Sequence, residues 1–197
     1  MKDYCLKSSL FILILIIICS CKRNDHEVLQ LIDKEMITHF PEDCKMVSKN
    51  YLMPSYNENL NSGFYYKIMC REDNLDILKD NIVSNTIQIT KYNDSCSFVL
   101  DRSKNKYMSY ENCISCTNCF PIPRFIEEGD YFNLNEQYPL PNDFDIYILE
   151  AKKGIFLDDH LLIKDIINVP NKWKHGMTRG IAISEERNMA IYYIDIW

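Results

Sequence analysis

The chain has 197 residues, of which 47% are hydrophobic and 25% charged, and its net charge is -6. That length allows one domain or two small ones, and the composition excludes a wholly disordered, a collagen-like or a polytopic membrane chain. The acidic balance gives no field for nucleic acid; nine cysteines are many for a reducing compartment yet too few for a disulfide scaffold.

The N-terminus reads as an export signal. Lys2 and Lys7 form a short basic region, diluted by Asp3, and Leu10 to Ile18 is unbroken apolar sequence. Extended from Ser8 to Cys21 as a helix, at ~1.5 Å per residue, this segment is about 21 Å long, short of the ~30 Å of a membrane core. Lys7 and Lys22-Arg23 close both ends, as in a secretory h-region. Ile18-Cys19-Ser20-Cys21 resembles the lipobox of bacterial lipoproteins, with an aliphatic residue three before the cysteine and a small residue just before it. The resemblance covers the first twenty-one residues only. It implies cleavage of residues 1–20 and acylation of Cys21, palmitate included, so that the partner of this end is the lipid bilayer. Several acyl chains on one residue hold a protein stably where a single chain does not. Lys22 follows the cysteine where many inner-membrane lipoproteins carry Asp, so the resemblance points to the outer membrane of a cell envelope. Removal of residues 1–20 leaves 177 residues and six cysteines besides Cys21.

Residues 21–27 form a short tether, and residues 28–197 read as one domain. Val28, Leu29, Ile32, Met36 and Phe40 recur at helical spacing, which predicts a first helix capped by Asp25 and stopped by Pro41. Phe64 to Cys70 alternates as a strand. Asp73 is placed to cap a helix carrying Leu75, Leu78 and Ile82 and ending near Asn85. Thr86–Tyr92 and Cys96–Leu100 read as a hairpin turned by Asn93-Asp94-Ser95. Residues 101–142 lack periodicity and read as a long irregular connection. Phe144 to Glu150 alternates again. Asp158 to Val169 has helical spacing at Leu162, Ile163, Ile166 and Ile167, with Pro170 as its stop. Met177–Ser184 and Met189–Ile196 read as a hairpin around Glu185 to Asn188. Its last strand is apolar on both faces, the pattern of a strand interior to a sheet. The expected fold class is α+β: an antiparallel or mixed sheet with two or three helices, whose repeated strand-helix-hairpin order allows two similar halves.

Cys113-Ile-Ser-Cys116-Thr-Asn-Cys119 is the most chemical stretch. A ferredoxin-type cluster fails because Pro123 stands where the fourth cysteine belongs. Zinc needs a fourth ligand, from Cys96, His160 or His175, and the chain offers one and a half C-x-x-C knuckles. A thioredoxin-like redox motif lacks its βαβ setting. Disulfides formed in an oxidising envelope are therefore the reading adopted for Cys113, Cys116, Cys119, Cys96 and Cys44, with no cofactor expected. Cys70 and Cys96 also fit as plain core residues on apolar strand faces.

Catalytic motifs are scarce. There is no G-x-S-x-G, no H-E-x-x-H and no phosphate-binding glycine loop. His26, five residues past Cys21, and His39, near the end of the expected first helix, are not well placed for a deep pocket. His160 follows Asp158-Asp159, where acidic residues also suit the first turn of a helix. Trp173, His175 and Arg179 are the binding-loop candidates; the plainer account packs the Trp as a hydrophobic plug. The expectation is a lipid-anchored envelope protein with a binding or structural role and an envelope protein as partner. The alternatives are a metal- or redox-active protein using Cys113, Cys116 and Cys119, and a hydrolase using dispersed carboxylates with His160 or His175.

Overall fold

The structure, a computed structural model, describes residues 32–52, 63–92, 94, 96–100, 119–123, 125, 140, 142–162 and 173–197. Two compact units divide the chain, Met1–Asp33 and Lys34–Trp197, and only Ile32 and Asp33 of the first are described. Within the second unit the described residues form strands β1 (Lys45–Leu52), β2 (Phe64–Arg71), β3 (Gln88–Thr90), β4 (Ser97–Leu100), β5 (Phe120–Pro123), β6 (Asp145–Lys153), β7 (Gly176–Ser184) and β8 (Met189–Ile196), with one α-helix, α1 (Leu75–Val83). The fold is mostly β, which corrects the expected α+β class with two or three helices.

Six strands form one antiparallel sheet in the order β1-β2-β8-β7-β6-β3, and β4 and β5 form a separate parallel pair. The double-sided apolarity of β8 has its expected consequence: the strand lies between β2 and β7, and all of its residues but Met189 are buried. β7 and β8 form the expected hairpin, with Asn188 at φ 51° in its turn, a left-handed conformation that asparagine tolerates. Ser184 and Arg187 both bond Asp143, at 2.5 and 2.8 Å, and fasten this turn to the start of β6.

Cross-strand partners define two faces. On one, Ile146, Ile148, Ala182, Ile191 and Tyr193 pack with Val99 of β4, Ile122 of β5 and the rings of Tyr92, Phe125 and Phe144. The opposite side of β4 presents Phe98 and Leu100 to Trp173, Trp197 and Cys119. β4 is thus buried on both sides. The prolines of β5 stand in a two-stranded pair, which leaves the strand one edge where the missing N–H groups are tolerated. The other face of the large sheet carries Tyr66, Ile68, Tyr192, Ile194, Arg179 and Ile181, and Phe40 lies against Tyr66 and Tyr192 at 5.1 and 6.3 Å between ring centroids.

Helix α1 forms as expected, burying Leu75 and Ile82 two turns apart. Asn74, not Asp73, is its N-cap; Asp73 pairs with Lys45 instead. The other two helices do not form over the described residues. Lys34–Ile37 is a 3-10 turn, because the carbonyls of Glu35 and Met36 accept hydrogen bonds from Arg179 and so are drawn away from a continuing helical ladder. Asp159–Leu161 is likewise a single 3-10 turn: Gly63 N–H takes the Leu161 carbonyl at 2.7 Å, and Leu162 is already extended. Residues 28–31 and 163–169 of these expected helices lie outside the described residues.

The expected hairpin of Thr86–Tyr92 with Cys96–Leu100 is also corrected. Of its turn, Asn93 and Ser95 lie outside the described residues; Asp94 Oδ1 accepts from Cys96 N–H at 2.9 Å, and the chain passes there from one sheet to the other. β3 pairs with β6, and β4 pairs with β5. With that hairpin gone, the two halves of the chain are not similar. Two strands went unread. β1 is an edge strand bulged between Met46 and Ser48, and β5 lies within the stretch expected to be irregular.

Candidate functional site

The sequence places Trp173, His175 and Arg179 together, and the structure separates them. Trp173 is buried, with ring centroids 6.4 Å from Phe98, 6.4 Å from Phe120 and 6.2 Å from Trp197. Its Nε1 donates to the Cys119 carbonyl at 3.0 Å, and its own carbonyl accepts from Trp197 Nε1 at 2.9 Å. It is therefore a plug that joins the C-terminal residue to the cysteine-bearing segment. Gly176 is required beside it: a Cβ there would lie 2.6 Å from the Lys152 carbonyl oxygen and 2.9 Å from the Trp197 ring. The carbonyl of His175 accepts from Gly154 N–H at 3.1 Å, and its Nδ1 is buried without a hydrogen-bond partner among the described residues.

Arg179 sits in β7 itself and organises a cluster on the face that carries Phe40. Its Nε is 2.8 Å from Glu150 Oε2. One terminal nitrogen donates to the carbonyls of Glu35 at 2.8 Å and Met36 at 3.1 Å. A bulge in β6 makes the ion pair possible. Ile148 pairs with Gly180, yet Glu150 pairs with Arg179, so one extra residue turns Glu150 to the face opposite Ile148. Burial resists the Glu150 charge, but Lys152 and Arg179 outweigh it and hold the carboxyl below its ordinary value.

His39 completes this cluster, although nothing in its sequence setting singles it out. Its Nε2 lies 2.9 Å from the Tyr193 carbonyl oxygen, which can only accept, so Nε2 carries the proton. Nδ1 is buried with no partner among the described residues. Burial first, and the nearby Arg179 charge next among the lowering effects, bring its pKa down to about 4 against the opposing pull of the Tyr193 and Met36 carbonyls and Glu150. His39 is therefore neutral at pH 7.

A second group occupies the opposite face. Tyr65, Asp195 and Thr178 are cross-strand neighbours on β2, β8 and β7, and Lys67, Tyr193 and Gly180 form the adjoining row. All six are buried, and Lys67 and Asp195 are each 1% exposed. The Tyr193 ring meets Phe125 edge-on at 5.3 Å. Burial, then the Asp195 charge, raise its phenol well above the ordinary value, while the Thr178 hydroxyl works the other way. A Cβ on Gly180 would lie 2.7 Å from the Tyr193 hydroxyl oxygen, so the glycine makes room for that phenol. In an open pocket such a Lys-Asp-Tyr set has the chemistry of acid–base catalysis; this one is closed, and its charges are part of the core.

Cys44 and Cys70 form a disulfide, with Cα atoms 5.9 Å apart, that ties the residue before β1 to β2. Cys96 and Cys119 are also disulfide-bonded. Cys70 and Cys96 are thus not plain core thiols, and Cys44, Cys96 and Cys119 offer no free thiolate. Cys21, Cys113 and Cys116 lie outside the described residues, as does the side chain of His160. Among the described residues no group of three His, Cys, Asp or Glu side chains is arranged to hold a metal ion.

The remaining feature is apolar surface. Val83, Ile87 and Ile89 are about half exposed where α1 leads into β3, and β3 is the last strand of the sheet among the described residues. Compared with protein-family models, curated proteins and solved structures, the chain matches none.

Proposed function

We propose that this is a lipid-anchored cell-envelope protein that works by binding an envelope protein partner. The address rests on the Ile18-Cys19-Ser20-Cys21 resemblance, and the bonded state of Cys44, Cys70, Cys96 and Cys119 is consistent with an oxidising compartment. The observation that carries the binding role is the β3 edge. Ile89 stands exposed on this three-residue strand, the last of the described sheet, with exposed Ile87 and Val83 just before it. An edge strand presents unpaired backbone groups, and charged residues or proline commonly blunt it; isoleucines suit it to a partner strand or an apolar face.

The test is a photo-crosslinker placed at Gln88 in the native envelope, in wild-type and Ile87→Lys/Ile89→Lys backgrounds. Exposed substitutions of this kind move stability by roughly 0.5 kcal/mol or less, so the variant keeps its fold. The expected result is a discrete crosslinked species in wild type that the double variant loses. A wild-type chain without such a species, or a species indifferent to the lysines, contradicts the reading.

A further inference from the structure

Between the cysteine of the lipobox and the first disulfide lies the segment that connects any anchor to the sheet. Residues 34–40 of it are held on the sheet by side chains. Arg179 of β7 bonds the Glu35 and Met36 carbonyls, His39 donates to the Tyr193 carbonyl of β8, and Phe40 packs on Tyr66 of β2 and Tyr192 of β8. The backbone makes no strand pairing there among the described residues; after its 3-10 turn it closes with Phe40 N–H on the Ile37 carbonyl at 3.0 Å. Past Phe40 the chain reaches the Cys44–Cys70 disulfide, which stops any peeling before it reaches β1.

We propose that residues 34–40 form a strap that a proton on His39 releases, lengthening the chain between the Cys21 anchor and the Cys44–Cys70 disulfide. The Cys21 end of this inference rests on the lipid-anchor reading; the release does not.

The charges facing His39 set the direction. Arg179 approaches from β7 and Glu150 from β6, while β8 supplies the Tyr193 carbonyl and Tyr192, whose hydroxyl donates to Glu72 at 2.9 Å. A proton taken up at buried Nδ1 adds a positive charge beside Arg179. The Met36 carbonyl of the strap itself and Glu150 offer partial relief, outweighed by burial and Arg179; Glu150 is already shared by Arg179 and Lys152, and its depressed pKa keeps it ionised throughout the relevant range. Released, His39 regains water and an ordinary pKa near 6.5. The strapped form has the lower pKa, so protons favour the released form. The strap is held fully above pH 6.5 and weakens as pH falls toward 4. Between pH 7.5 and 5 one proton linked in this way raises the opening constant about 30-fold. Seven residues paid out at ~3.3 Å each add up to about 20 Å of reach.

Hydrogen exchange on the full chain in detergent micelles tests this, with rates corrected for the intrinsic pH dependence of exchange. Peptides covering residues 34–40 are compared with peptides of β7 and β8 at pH 7.5 and 5. The expected result is a loss of protection of about 30-fold in the strap alone. His39→Gln, which keeps a donor for Tyr193 but cannot titrate, should remove the pH dependence. It does so whether Gln holds the strap shut or leaves it open. A strap equally protected at both pH values overturns the proposal. So does equal loss in β7 and β8, or an unchanged pH response in His39→Gln. Cys21→Ser should release its strap as wild type does, so failure of the anchor reading leaves this result standing, and failure here leaves acylation untouched.

Discussion

Removal of Arg179 is the most informative single perturbation of the domain. Its guanidinium joins three parts of the chain: β7, the Glu150 carboxylate delivered by the β6 bulge, and the carbonyls of Glu35 and Met36. Two hydrogen bonds from a charged donor, each taken near 1 kcal/mol because the freed carbonyls regain water, give about 2 kcal/mol. The ion pair is partly exposed, with side chains at 21% and 22%, so it is held to roughly 0.5–1 kcal/mol. Arg179→Ala should therefore cost about 3 kcal/mol in urea unfolding of the oxidised protein at pH 7.5. Glu150→Gln should cost less, and the double variant should show a coupling of about 0.5–1 kcal/mol. Hydrogen exchange should place part of the Arg179→Ala effect in residues 34–40. A loss below about 0.5 kcal/mol, or no coupling within error, refutes the claim that Arg179 clamps these parts together.

Three other outcomes follow from the same geometry. Cys44 and Cys70 are 26 residues apart, for which chain entropy gives about 3.5 kcal/mol; Cys44→Ser/Cys70→Ser should lower stability by about that amount, and a loss under 1 kcal/mol contradicts the tie. Gly180→Ala drives a Cβ to 2.2 Å from the Tyr147 carbonyl oxygen, so the pairing of β6 with β7 must open, at a cost of about 3 kcal/mol or more; a Tyr193→Phe background should restore little of it, because the backbone contact remains. The Arg187 and Ser184 hydrogen bonds hold the Asp143 carboxyl below its ordinary value, so its contribution is present above about pH 4 and is lost as pH falls through the depressed value. Asp143→Asn should accordingly flatten the stability profile below pH 4 in acid unfolding, and an unaltered slope contradicts this assignment.

The readable parts of the fold are those where side-chain periodicity and burial agree. The turn residues Glu185 to Asn188 mark the β7–β8 hairpin, and the apolarity of β8 on both faces marks its interior place. Helix α1 carries its own apolar stripe. The failures share a physical cause. The segments around Met36 and Leu161 have helical spacing, but distant donors, Arg179 and the Gly63 amide, take the carbonyls that a helix needs. Spacing within a segment carries no information about a donor 143 residues away. β1 is mixed in composition because it is a bulged edge, and its pattern breaks where Val47 is inserted.

The same distinction applies to side chains. Trp173, expected in a binding loop with a plug as the plainer account, is the plug, because a large ring packs wherever it is near a core. His39 reads as unremarkable because its partner, Tyr193, is 154 residues away. Lys67 did leave a signal, a lysine within the aromatic run of β2. The alternation of Phe64, Tyr66, Ile68 and Cys70 puts it on the other face of the strand, and β2 is buried on both faces. Glu150 needed knowledge of the bulge, which the sequence does not mark.

Anchorage at Cys21 is the claim on which the proposed function depends, and metabolic labelling with a fatty acid tests it most directly. Wild-type chain should carry the label and sediment with envelope membranes; Cys21→Ser should lose the label and leave the membrane fraction. Label and sedimentation that both survive the substitution would contradict the account.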